Sequence, residues 1–196
     1  MQVAEYQIDV TLPADSVVML IAQPFLEFVQ PLQEPFPLSN PCNARLLQAI
    51  DNVFDVAQSS HPHFIVFPEF SIPGLAGAQR ILLRLMNPAV ASPAVVIAGL
   101  SGLSRNEYEQ ICNLPQMTTP ENTIAPASVP NGEWINTSIT FVKTDRGAVS
   151  AFLQPKISPS WVELNTHHRS MFRGSIVRVF QARFQNHVAC RFFSLH

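Results

Sequence analysis

Three residues in this chain combine a reactive group with a place where a strand-like run stops. Glu69 follows Pro68 directly after "HFIVF", residues 63–67. Lys156 lies beyond the run "GAVSAFLQ", flanked by Pro155 and Pro159, and is one of two lysines in the sequence. Cys190 falls at the end of "SIVRVFQARFQNHVAC". Each has an ordinary interpretation. A glutamate after a strand can be a solvated turn residue, a loop lysine a surface charge, and a free cysteine a small buried hydrophobe. As a set they have a chemistry. A carboxylate beyond the carboxyl end of a strand lies where open α/β sheets bind ligands. An ammonium held by a proline-stiffened backbone suits an oxyanion, and a thiol near that charge would ionise and act as a nucleophile. Glu163, seven residues past Lys156, is either a loop carboxylate or a second acid near the same pocket.

The elements that must position these groups can be read from apolar runs and breakers. Residues 1–15 look like an N-terminal extension. "SVVMLIAQ" (16–23) predicts a buried strand stopped by Pro24, and the four prolines of 24–39 predict a loop. A helix follows, with Asn40 as N-cap, Pro41 in its first turn, and one stripe formed by Leu46, Leu47, Ile50, Val53, Phe54 and Ala57. With "HFIVF" after it, the first 67 residues spell β-α-β with parallel strands. A second helix is expected over 76–86 and a third buried strand over 94–100. Residues 113–133, with four further prolines, read as irregular. "WINTSITFVKT" and "GAVSAFLQ" predict an antiparallel hairpin across "DRG", and a last strand pair ends near Cys190, so the sheets are mixed.

Composition narrows the function classes. Hydrophobic residues make up 47% and charged residues 13% of 196, enough for a sizeable core with little charge to solvate its outside. That shortage points to a surface covered by another chain or domain. A net charge of −2 without a Lys/Arg cluster gives no electrostatic case for nucleic acid. The short run Val17–Ala22 is neither a secretory signal nor a membrane span. The three cysteines lack C-x-x-C spacing, which argues against a zinc site or disulfide framework and for a cytoplasmic setting. No G-x-G-x-x-G follows the first strand, against a dinucleotide fold.

The order Glu69, Lys156, Cys190 and the flanks of each resemble the nitrilase, or carbon–nitrogen hydrolase, superfamily. "HFIVFPEFSIPG" is similar to its glutamate motif, "MLIAQ" to its opening strand, "WINTSITFVKTDRGAVSAFLQPK" to its lysine hairpin and "MFRGSIVRVFQARFQNHVAC" to its approach to cysteine. The resemblance implies an α/β fold, an α-β-β-α sandwich with mixed sheets over residues 16–196, its second half incomplete and the usual C-terminal part lacking. It implies no metal or organic cofactor, and a small amide or nitrile as substrate. It assigns Cys190 as nucleophile, Glu69 as base, Lys156 as the cation that stabilises developing charge, and Glu163 as an additional substrate-binding acid. It also implies a homo-oligomer or a place in a larger assembly. Arg191 and Phe192 after the cysteine, and Ser158 two residues after the lysine, depart from the family pattern. A nitrilase-like module that binds without turnover is the alternative.

Overall fold

The computed structural model describes residues 2–32, 35–117, 125–161, 163 and 171–193. Part of the proline-rich 113–133 stretch, 118–124, lies outside them. Tyr6, Ile8, Val10 and Leu12 alternate with Glu5, Gln7, Asp9 and Thr11, and Gln2–Leu12 form strand β1. Its apolar side is driven inward: Val10 and Leu12 are buried. The expected N-terminal extension is therefore mostly a strand. Its apolar residues are spaced by two, so no continuous run announces them.

Strand β2 is only Met19–Ile21, shorter than the run 16–23, and forms a sheet edge. Met19 and Ile21 are 53% and 57% exposed, so the expected burial of this strand is not found. Helix α1, Asn40–Ser60, is capped one residue earlier than expected: the Ser39 hydroxyl accepts the Cys42 amide hydrogen at 3.3 Å. Leu46, Ile50, Phe54 and Ala57 bury its inner stripe, with Leu47 and Val53 packed at the margin. Strand β3 is Phe64–Ile72, helix α2 Gly74–Met86 and strand β4 Ala94–Leu100. After the short β5, Leu103–Ser104, helix α3 spans Arg105–Cys112. A reciprocal Ser104–Glu107 capping box starts α3, satisfying amides that helix geometry leaves free. The remaining strands are β6 Trp134–Ile135, β7 Thr137–Lys143, β8 Val149–Pro155, β9 Met171–Phe172, β10 Ile176–Phe184 and β11 Ala189–Phe192.

Five strands form one sheet in the order β2-β3-β4-β7-β8, parallel through β4 and antiparallel beyond it. Three form another, β1-β10-β11, with β1 and β10 parallel and β11 antiparallel to β10. A small third sheet, β5-β6-β9, borders the first. The helices pack through Ile50, Phe54, Ile81 and Leu85 onto one face of the five-stranded sheet, around Ile65, Val96 and Phe141. The opposite face, with Phe64, Val95, Val142 and Phe152, meets Leu12, Phe180 and Ala182 of the three-stranded sheet. The described residues therefore make a mixed α/β fold with helix, sheet and sheet layers. No helix among them is long and apolar enough to cross a membrane.

Candidate functional site

The run that carries Glu69 does not stop at Pro68 but bulges. Pairing of β3 with β4 is regular to Phe67↔Ala98 and resumes, shifted, at Ile72↔Leu100. Pro68 offers no amide hydrogen to a ladder, and the displaced segment closes on itself, the Ser71 hydroxyl donating to the Pro68 carbonyl at 2.5 Å. Phe70 takes φ 59°, an uncommon backbone conformation for a side-chain-bearing residue. Its ring is held by Phe28 and Phe36, with centroids 5.7 and 6.0 Å away. Gly99 is what allows the bulge to lie down on β4. A Cβ there would come within 2.5 Å of the Glu69 Cα and 2.6 Å of the Pro68 oxygen. These features aim Glu69 outward from the sheet's end, with its side chain 38% exposed.

Lys156 follows β8 and is fixed through its backbone on two sides. Its amide donates to the Asn136 carbonyl at 2.8 Å, and its carbonyl accepts from Gly174 at 2.7 Å. The buried ammonium reaches Glu69 Oε1 at 2.7 Å and Glu163 Oε2 at 2.8 Å. Asn136, between β6 and β7 and fully buried, completes the ring: Nδ2 donates to Glu69 Oε1 at 2.6 Å and to Glu163 Oε1 at 2.7 Å. Glu163 is further held by the Ser160 amide, which donates to Oε2 at 2.5 Å.

Electrostatics keep Lys156 and Glu163 ionised. Burial alone would pull the Lys156 ammonium down, but its hydrogen bonds to Glu163 and Glu69 prevail and hold its pKa above the ordinary lysine value. Burial pushes Glu163 up; donation from Lys156, the Ser160 amide and Asn136 outweighs it and leaves the carboxyl below the usual range. Two carboxylates and one ammonium leave the cluster with one net negative charge. The second oxygen of Glu69, Oε2, has no hydrogen-bond partner among the described residues. It is therefore free to accept a proton while Oε1 stays on the lysine. No group of His, Cys, Asp and Glu suited to a metal ion occurs among the described residues.

Of the sequence-predicted residues, Glu69, Lys156 and Glu163 converge; Cys190 does not join them. It belongs to β11, opposite Ala182 of β10. Strand β10 begins beside the cluster, where Gly174 bonds Lys156 and the Gln154 side chain donates to the Ile176 carbonyl at 2.6 Å. Ala182 lies eight residues past Gly174, roughly 25 Å along an extended strand. There the neighbours belong to the other end of the sandwich: Gln185 bonds Leu12, and Asp145 of the β7–β8 turn bonds Asp9. The thiol packs against the inter-sheet core, and its pKa is raised by burial, the reverse of an activated cysteine. Arg191 points elsewhere, 3.9 Å from Glu5.

Asn136 and Gly99 are the parts of the site that residue-type reasoning left without a role. A lone Asn at a strand junction and a Gly near a strand's end are weak signals by themselves. Comparison of the chain with protein-family models, curated proteins and solved structures gives no match.

Proposed function

We propose that the Glu69–Lys156–Asn136–Glu163 cluster is the polar centre of a nitrilase-like site that binds and polarises a small amide or nitrile, without thioester formation at Cys190. Support comes first from the convergence itself. A buried, charged Lys156 is suited to stabilising charge that develops on a carbonyl oxygen or nitrile nitrogen. Glu69, with one oxygen anchored and the other free, is suited to act as a base. Cysteine-dependent hydrolysis of a carbon–nitrogen bond uses the same two roles but also needs a thiolate against the substrate carbon. The observation that favours binding over that hydrolysis is the position of Cys190, whose neighbours are core residues rather than Lys156.

Alkylation kinetics separate the two. Iodoacetamide labelling of Cys190, followed by peptide mass spectrometry, is expected to proceed at the same rate in the native chain and in folded Glu69→Gln and Lys156→Ala variants. A marked slowing in both variants would restore a shared Glu-Lys-Cys centre and overturn the binding function. Association with a second copy or a larger assembly belongs to the same proposal. It is supported by exposed Met19 and Ile21 and the 13% charge content, and light scattering is expected to give a mass above 21.8 kDa.

A further inference from the structure

The ladder between β2 and β3 fixes which backbone groups of β2 are spent. Phe64 donates to the Val18 carbonyl at 3.2 Å and Ala22 to the Val66 carbonyl at 2.9 Å, with Leu20 level with Ile65 between them. In a parallel ladder alternate residues bond the neighbour with both groups, so Leu20 is used while Met19 and Ile21 turn amide and carbonyl outward. Among the described residues no strand pairs with that side. The side chains of Met19 and Ile21 are uncovered as well, because the facing sheet ends at β11, whose Phe192 ring lies 5.1 Å from Phe64 of β3. The other outer strands of the two larger sheets are protected. On β8 the Ala151 amide donates to the Gln116 carbonyl at 3.1 Å, β1 alternates Glu5, Gln7 and Asp9 and shifts register after Gln7, and β11 carries Arg191. Cover, charge and irregularity are the usual defences of a sheet edge. Residues 16–23 contain no charge and no proline.

We infer that β2 is the contact between two copies of this chain, paired antiparallel about a two-fold axis at Met19, so that the two five-stranded sheets run on as one. This rests on the association proposed above, not on the ligand-binding function, and gives it a surface and a register. A two-fold contact sets residue i of one copy against residue j of the other, and j against i. Centred on Met19, Val17 meets Ile21, Val18 meets Leu20, Met19 meets its own copy, and Asp15 meets Gln23 at the flanks. Outward-facing groups then bond outward-facing groups, and both copies keep Leu20 on the helix side of the sheet. A slip of one residue would set outward groups against spent ones and exchange the faces. A slip of two would oppose Asp15 to Ile21, or Val17 to Gln23. Apolar matches apolar and polar matches polar in one register alone, so the segment is complementary to itself, and that selects a second copy as the occupant.

The test combines light scattering with disulfide trapping of the full chain. The native chain is expected at twice 21.8 kDa, and Met19→Lys, which sets like charges opposite each other at the axis, at 21.8 kDa. Met19 is half exposed, so the variant should keep its fold, which circular dichroism checks. Opposed residues of a hydrogen-bonded antiparallel pair have Cα atoms about 5.5 Å apart, within disulfide reach. Under mild oxidation Met19→Cys is therefore expected to form a covalent dimer at least about tenfold faster than Leu83→Cys on the exposed side of α2, each measured against the native chain and its three cysteines. A dimer that survives in folded Met19→Lys, or that Leu83→Cys traps as fast, would overturn this surface and leave the association standing. A native mass of 21.8 kDa would overturn both, and a mass above two copies would overturn the closed two-fold pair.

Discussion

Removing the Lys156 ammonium is the most direct way to ask whether the cluster is a buried, mutually dependent unit. In Lys156→Met the side-chain volume is kept, but Glu163, with its side chain only 3% exposed, loses its cation. Stripping one partner from a buried pair leaves an uncompensated charge, which costs about 3–5 kcal/mol. Glu69 contributes little to that figure, being open enough to hydrate. The pH dependence gives the sharper signature. In the native chain the Glu163 pKa is lowered in the folded state, so its contribution is present above the ordinary carboxylate range and lost as pH falls through the lowered value. The Lys156 pKa is raised, so its contribution is present below the ordinary lysine value and lost only as pH rises through the raised one. Both therefore hold across neutral pH. In the variant the burial of Glu163 acts without the ammonium, its folded pKa moves up, and stability should fall as pH rises, by up to about 1.4 kcal/mol per pH unit. Urea denaturation of the native chain, Lys156→Met and Lys156→Met/Glu163→Gln at pH 5.5 and 7.5 measures this. The single variant should be the weakest at pH 7.5 and partly recover at pH 5.5, and the double variant should recover at both. A loss below about 1 kcal/mol, equal at the two pH values, is what an exposed ion pair gives and would refute the reasoning.

Two further outcomes follow from the surroundings of the site. Gly99→Ala puts a methyl group against the Glu69 Cα and the Pro68 carbonyl, and overpacking of this kind should cost about 1–3 kcal/mol and lower the melting temperature by several degrees; a scanning calorimetry midpoint within a degree of the native one would mean that the bulge yields freely. His63 Nδ1 accepts the Val18 amide hydrogen at 3.0 Å, and burial lowers its pKa, so the folded chain favours the neutral ring. Its contribution is full above about pH 6.5 and shrinks as pH falls through the lowered folded value. Urea midpoints at pH 5 and 7.5 should therefore differ more in the native chain than in His63→Gln, and equal differences would remove His63 from the acid response.

Much of the scaffold was legible because its signals are local. The Leu46–Ala57 stripe, the run 94–100 and the hairpin around "DRG" each carry their pattern within a few turns or residues, and the structure follows them. Helix α3 was not among the expected elements: its signals, the Ser104–Glu107 capping pair and a thin apolar stripe of Tyr108 and Ile111, are short and lie in a polar stretch. Strand β1 reads as an extension in the sequence because its apolar residues alternate with charged and polar ones, and only a facing sheet gives that alternation a buried side. The run 16–23 was expected to be buried, yet only its middle residues form a strand, on an edge whose outer side no described strand covers.

The sequence by itself determined the chemistry available: a glutamate beyond a buried run, a rare lysine between prolines, a second glutamate close behind it. Those positions are set by local breakers, and Glu69, Lys156 and Glu163 do meet. Which end of the sandwich a residue occupies is a different kind of fact. Cys190 also sits near the close of an apolar run, but β11 turns back antiparallel on β10, which leads away from Lys156, so the thiol is carried to the far end. Strand direction within a sheet is fixed by long-range pairing, and hydrophobic periodicity is the same whichever way a strand runs. Only the tertiary structure, for the same reason, could turn an unremarkable Asn136 into the residue that ties two carboxylates together.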